Sequence, residues 1–137
     1  MSDGRIDIQR FDAESGNPRS YSQAVRAGDL IFTCGQLGVD PGGKPLPFAE
    51  EVEICLRRLV SAVESAGGSI ETILKVNGYL ADLNDFPVYD EIYRRIIGVS
   101  PKPARTTVQI AAFPPPIRVE IDAVAVVRDH VTDLGLK

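Results

Sequence analysis

RVEIDAVAVV, residues 118–127, is the stretch of sequence that decides the fold of this chain. Successive side chains of a β-strand point to opposite faces, and every second residue of this stretch is apolar. The apolar face carries Val119, Ile121, Ala123, Ala125 and Val127. The other face carries Arg118, Glu120, Asp122, Val124 and Val126. The pattern predicts a strand, with Glu120 on a face that begins polar and becomes apolar.

Other segments of the chain predict further strands. ARTTVQIAA at 104–112 is a second strand-like run, and residues 73–80 form a third. Residues 20–26 and 30–36 flank the turn signal Ala-Gly-Asp, which predicts a β-hairpin. A weak alternation over residues 5–9 is also typical of a strand. Together these runs are enough for one sheet.

Two helices are predicted between the strands. From Phe48 to Ala66 apolar residues recur at three- and four-residue steps, and Gly67 begins a glycine pair that closes the helix. A second helix is predicted after Asp82 or Asn84, either of which suits the N-cap position. Its apolar positions are Val88, Ile92 and Ile96. A loop over residues 98–103 follows it.

The order of these elements predicts an α+β sandwich with one helical layer. With 137 residues and 44% hydrophobic content, the chain fits a single domain over residues 1–137. Its formal net charge of -4 at pH 7 and its pI near 5.0 disfavour nucleic-acid binding. No apolar run is long enough for a membrane span and the N-terminus is charged, so we expect a cytoplasmic protein without membrane contact.

The few cysteines and histidines limit the chemistry. Cys34 and Cys55 lie too far apart in the sequence for a CxxC motif, and His130 is the only histidine. The composition therefore predicts free thiols, no metal site and no Ser-His-Asp catalysis.

Residue type alone leaves the polar candidates open. Arg105 shares a strand face with Thr107 and Gln109. It fits either a surface or ion-paired arginine or a bidentate ligand for a carboxylate. Glu120 fits either a solvated side chain or a group that directs water. Cys34 is equally typical of an inert buried thiol, as Tyr21 and Tyr93 are of packing residues.

Four ordered segments resemble the Rid/YjgF family: SYSQAV at 20–25, IFTCGQLGVDP at 31–41, residues 66–86 and residues 102–126. The resemblance covers about residues 18–128. It implies a chorismate-mutase-like α+β domain, a mixed β-sheet with two helices packed on one face. It also implies a homotrimer with active sites between subunits.

The resemblance further implies a hydrolytic deaminase without a cofactor, acting on small enamine or imine acids such as 2-aminoacrylate or 2-iminobutyrate. In its PxR motif, Arg105 grips the substrate carboxylate, and Glu120 positions or activates water. The pocket residues implied by the family pattern are Tyr21, Cys34, Gly35, Asp90, Arg105 and Thr107, the last through its main chain.

Three departures from the family pattern lie near the expected pocket. Cys34 replaces a serine, Asp90 stands where asparagine is frequent, and Pro18-Arg19-Ser20 replaces Ile-Gly-Pro. Asp90 is expected to repel an anionic substrate unless Arg19 or another cation offsets its charge. The substrate implied by the resemblance can therefore differ from 2-aminoacrylate.

Other functions stay open at this point. An unsaturated amino dicarboxylate such as 2-aminomuconate is an alternative substrate, which Arg19 or Arg118 would favour as extra cations. A non-catalytic trimer that binds small carboxylates or proteins is an alternative from another class. A ribonuclease activity receives less weight because the chain is acidic.

Overall fold

The computed structural model describes residues 3–12, 18–98 and 101–133, and in them seven strands and two α-helices. The strands are β1 (Ile8–Phe11), β2 (Ala24–Ala27), β3 (Leu30–Thr33), β4 (Gln36–Leu37), β5 (Ile73–Leu80), β6 (Ala104–Gln109) and β7 (Val119–Val126). The helices are α1 (Phe48–Ser65) and α2 (Phe86–Ile96). Single 3-10 turns cover Ile70–Thr72, Leu83–Asp85 and Arg128–His130.

All seven strands belong to one mixed sheet with β7 near its centre. The strand order is β1-β2-β3-β7-β5-β6, and β4 pairs with β7 beyond the end of β3. Every pairing is antiparallel except that of β5 with β6, which α2 connects. The predicted α+β fold, a mixed sheet with two helices, is confirmed.

The core lies between the helices and one face of the sheet. Burial along β7 alternates at every residue, with Val119, Ile121, Ala123 and Ala125 in the core. These strand residues share one buried cluster with Leu56 of α1 and the residues Tyr89, Ile92 and Tyr93 of α2. The other side of the sheet, here called the open face, exposes Leu30 and Phe32 of β3 and Val108 of β6. The helices thus cover one side of the sheet only.

Several local predictions are confirmed and others need correction. The predicted hairpin joins β2 to β3 with Gly28 at a φ of 59°, although its strands are shorter than residues 20–26 and 30–36, and β5 covers the predicted residues 73–80. The predicted cap of α2 is wrong, because the Asp82 carboxylate accepts from the Asn84 amide and caps the preceding 3-10 turn. The strand predicted over 104–112 ends at Gln109. The loop predicted over 98–103 lies partly outside the described residues.

The alternation predicted that Arg118 shares the face of Glu120, and this prediction is wrong. Arg118 precedes β7, and its side chain turns to α1, where Glu51 is fully buried. The Glu51 carboxylate accepts from the Arg118 backbone amide at 2.8 Å and from Nε at 3.0 Å. The guanidinium also lies 5.2 Å from the Phe48 ring and donates to the Leu46 carbonyl. This ion pair fixes α1 to the start of β7 and removes Arg118 from the list of substrate-binding cations.

No helix among the described residues is long and apolar enough to cross a membrane. The cytoplasmic location stays a prediction.

We expect Glu51→Ala to lower the free energy of unfolding by about 3 kcal/mol, because it leaves a partly buried guanidinium and a backbone amide without their acceptor. Glu53→Ala is the matched control on the same helix. Its carboxylate is 40% exposed and pairs with Arg57 and Arg95 at 3.2 Å, so its loss should cost less than about 1 kcal/mol. Urea unfolding followed by circular dichroism measures both, and equal losses would contradict a special role for Glu51.

Candidate active site

The register of the sheet divides the predicted site residues into two groups. In the β5–β6 pair, Arg105 lies opposite Val76 and Thr107 opposite Gly78. Val76 is fully buried in the core, so Arg105 and Thr107 point to the helix side of the sheet. Glu120 lies between two core residues of β7 and therefore points to the open face.

We call Asp90, Arg105 and Thr107 the arginine group. Tyr21, Cys34, Gly35 and Glu120 form the glutamate group, whose members lie around the end of β3 and on β7. Within one chain the sheet separates the two groups.

Aromatic rings of α2 hold the Arg105 guanidinium. Its central carbon lies 4.6 Å from the centre of the Tyr93 ring, 5.3 Å from that of Phe86 and 5.8 Å from that of Tyr89. A cation over aromatic faces is attracted by the ring quadrupole, and this attraction is stronger where water is partly excluded. The Arg105 side chain is 24% exposed, so the rings fix its position and leave part of it open to solvent.

Asp90 bridges two arginines. Its Oδ1 lies 2.8 Å from Nη1 of Arg105, and its Oδ2 lies 2.8 Å from Nε of Arg94, one helical turn further along α2. The hydrogen bond from Arg94, followed by that from Arg105, holds the pKa of the Asp90 carboxyl below its usual range. The cations that offset the charge of Asp90 are therefore Arg94 and Arg105, which decides the choice that the sequence left open between Arg19 and another cation.

A small pocket opens beside Arg105. It has a volume of about 270 Å³, and its lining includes Tyr93, Arg94, Lys102 and Arg105. A larger groove of about 570 Å³ runs between α1 and α2, but it contains none of the predicted site residues. The pocket at Arg105 is the one in which positive charge, aromatic rings and the PxR motif meet.

Buried hydroxyls surround Arg105 on the core side. The hydroxyls of Tyr89, Tyr93 and Thr107 are all buried. Burial raises the pKa of both Tyr89 and Tyr93, so both rings stay neutral at physiological pH. The Tyr89 hydroxyl occupies the space beside Gly78, where a Cβ would come within 2.6 Å of it. Gly78 therefore allows a tyrosine to pack behind Arg105.

The glutamate group packs around a glycine. Gly35 follows Cys34 directly, and a Cβ at Gly35 would overlap the Glu120 carboxylate. The half-buried Cys34 thiol accepts from Gln36 Nε2 at 3.2 Å and donates to Gln23 Oε1 at 3.7 Å. Burial raises the pKa of Cys34, which favours the neutral thiol. Gly35 and Cys34 thus form the floor beside Glu120.

Tyr21 lies on the chain segment next to this floor. Gln23, two residues after Tyr21, accepts a hydrogen bond at its carbonyl from the Cys34 amide at 3.0 Å. The Tyr21 side chain is 53% exposed, and the nearby charge of Arg19 acts on Cys34. The backbone near Tyr21 therefore runs beside Cys34, and the charge of Arg19 acts on the glutamate group.

Comparison with known proteins gives the family. The family model described as Endoribonuclease L-PSP matches residues 13–127. The chain belongs to this family, that of the Rid/YjgF proteins.

Individual relatives agree with the family match. The 2-iminobutanoate/2-iminopropanoate deaminase of Mus musculus is 40% identical over 109 residues, which are 77% of this chain and 80% of that protein. A YjgF-family member from Neisseria meningitidis has a TM-score of 0.79 at 29% identity, covering 91% of this chain and 98% of the other. E. coli TdcF with bound serine has a TM-score of 0.72 at 32% identity, covering 90% and 98%.

In this Rid/YjgF chain the surroundings of Glu120 include residues that sequence reasoning missed. Burial raises the pKa of Glu120, and the negative charge of Asp122, two residues along β7, raises it further. Asp122 in turn accepts from Asn77 Nδ2 at 2.8 Å and from the Tyr79 hydroxyl at 2.9 Å. The alternation along β7 had placed Asp122 on the face of Glu120, and this was the only feature of the sequence that indicated their proximity.

Asp122→Asn should lower the pKa of Glu120, because it removes a negative charge while leaving the burial in place. A ¹³C NMR titration of the Glu120 carboxyl measures the change. Asp129→Asn removes an exposed carboxylate beyond the end of β7 and should leave the Glu120 titration as it is. If Asp122→Asn also leaves the titration unchanged, burial alone accounts for the raised pKa.

Proposed function

We propose that this chain hydrolyses small imine or enamine acids to a 2-oxo acid and ammonia. The observation that carries the proposal is the Arg105 guanidinium, held over three aromatic rings at the edge of a pocket. A fixed guanidinium can bind a carboxylate with two parallel hydrogen bonds. The deaminase name of the 40% identical mouse relative supports the same reaction.

The proposed mechanism needs one carboxylate as an acid and base. Arg105 binds the substrate carboxylate, and Glu120 accepts a proton from water as the water oxygen bonds to the imine carbon. The C=N bond becomes a single bond as Glu120 returns this proton to the nitrogen, which gives a carbinolamine. Glu120 then takes the hydroxyl proton as the carbonyl forms and passes it to the nitrogen, so that the C–N bond breaks and its electron pair leaves with ammonia. An enamine acid enters the same path after a proton moves from its nitrogen to its terminal carbon, which gives the imine. The raised pKa of Glu120 brings it nearer to neutral pH, where proton transfer in both directions is effective.

Two chains are proposed to build each site. A small imine cannot touch both groups of one chain, because Arg105 and Glu120 lie on opposite sides of the sheet. A second copy that brings its Glu120 to Arg105 would complete the site. The open face offers the surface for this assembly, since Leu30 and Phe32 are 42% and 44% exposed on it. A homotrimer with a site at each subunit contact agrees with this arrangement.

A dicarboxylate is the second candidate substrate. Arg94 and Lys102 line the pocket beside Arg105, so a second carboxylate would find cations there. These residues replace Arg118, which Glu51 holds, as the candidates for this role. Comparing an unsaturated amino dicarboxylate with 2-iminobutyrate as substrates distinguishes the two proposals.

Arg105→Ala should lower the rate of 2-oxo acid release on the order of 100-fold, because the substrate loses its anchor. The measurement generates 2-aminoacrylate or 2-iminobutyrate in situ and subtracts the uncatalysed hydrolysis. Arg95→Ala is the matched control, since Arg95 pairs with Glu53 on the outer surface of α2. Equal rates for wild type and Arg105→Ala would overturn the mechanism. Binding of 2-oxo acids without turnover by the wild type would indicate a carboxylate-binding protein.

Co-expression of Arg105→Ala and Glu120→Gln chains tests the shared site. At equal expression and random assembly, about one in three subunit contacts of a mixed trimer combines an intact Arg105 with an intact Glu120, so about a quarter of the activity should return over all trimers. Each variant alone should retain no more than about 1% of the wild-type activity. The mass in solution should be about 45 kDa, three times the chain mass of 14.9 kDa. Absence of any recovered activity in mixed trimers would show that each site lies within one chain.

A further inference from the structure

We infer that Asp90 is a positioning residue that orients Arg105 and limits how tightly the pocket holds a carboxylate, and that Arg94 sets the strength of this limit. The inference rests on the proposed function insofar as Arg105 binds the substrate carboxylate. It adds two residues with opposite effects on that binding.

The geometry fixes Arg105 from two directions. The rings of α2 lie against the face of the guanidinium, and Asp90 binds its edge at Nη1. The Asp90 side chain is 18% exposed and the Arg105 side chain 24%, so this contact is only partly accessible to bulk water. With one edge nitrogen taken by Asp90, the orientation of the remaining donors towards the pocket is set.

The same contact weakens the pocket for anions. Asp90 brings a negative charge to the guanidinium that is to bind the substrate carboxylate, and two carboxylates near one arginine repel each other. Arg94 opposes this effect because it binds the second oxygen of Asp90 at 2.8 Å. Without Arg94, both Asp90 oxygens would be available to Arg105 and would compete more strongly with a ligand.

This arrangement has a consequence for turnover. The imine substrate and its 2-oxo acid product carry the same carboxylate, so Arg105 binds both. Uniform binding of this kind lowers KM and also retains the product. The carboxylate of Asp90 weakens the binding of both carboxylates to Arg105, and this favours release of the 2-oxo acid.

The test measures pyruvate binding by isothermal titration calorimetry for the wild type, Asp90→Asn, Arg94→Gln and the double variant. Asp90→Asn keeps an oxygen acceptor for Arg105 but removes the charge, so pyruvate should bind about threefold to tenfold more tightly. Arg94→Gln should weaken binding by a similar factor, and this loss should disappear when Asp90 is also replaced. Arg95→Gln, an adjacent surface change, should leave the affinity unaltered.

Steady-state kinetics separates orientation from charge. Asp90→Asn should lower KM and strengthen inhibition by pyruvate. Asp90→Ala removes the acceptor as well as the charge and should lower kcat, because the guanidinium loses its contact at the edge. A purely structural role for Asp90 would lower stability in both variants without these opposite changes.

Each outcome decides the inference. Weaker or unchanged pyruvate binding by Asp90→Asn overturns it, as does absence of measurable binding by both wild type and Asp90→Asn. Arg94→Gln changes a side chain that is 74% exposed, so it tests the inference even if an Asp90 variant does not fold. Failure of the proposed function looks different: the opposite changes in pyruvate affinity would be present while no variant hydrolyses an imine.

Discussion

The alternation of side chains along β7 is the constraint on which the rest of the structure depends. This strand pairs with β3 and β4 on one side and with β5 on the other, so it cannot rotate about its own axis. Four of its residues fill the core beneath the helices, which places the intervening Glu120 and Asp122 on the open face. In the parallel β5–β6 pair, Arg105 lies opposite a core residue of β5, so its side chain faces α2. The separation of Arg105 from Glu120 follows from this pairing.

The parts of the fold that sequence predicted are those with local periodicity. Helix α1, strand β5 and the β2–β3 hairpin follow from side-chain patterns within a few turns or residues. The contacts of Arg118 with Glu51 and of Arg105 with Asp90 join residues far apart in sequence, and no periodic pattern encodes them. Cap residues are also ambiguous, because Asp82 suits a 3-10 turn as well as an α-helix. Arg105 and Glu120 were recognisable as candidate site residues only through the surrounding family motifs, since their residue types alone are typical of any surface.

Charge in this protein is organised locally. The chain as a whole is acidic, with a formal net charge of -4, yet the pocket at Arg105 is lined by Arg94 and Lys102 as well. A small anion responds to the field within such a pocket more than to the distant charge, which salt screens over about 10 Å. Asp90 lies inside that field and bonds directly to two of its arginines. We therefore expect Asp90 to affect a bound anion more than a carboxylate elsewhere on the surface would.

The close packing of Gly78 against Tyr89 also restricts how this pocket can have evolved. A side chain at position 78 and a tyrosine hydroxyl at position 89 compete for the same volume, so the two positions are expected to vary together among related chains. A tyrosine at position 89 is compatible with this backbone only while position 78 has no Cβ, so the aromatic support behind Arg105 constrains a residue on the neighbouring strand.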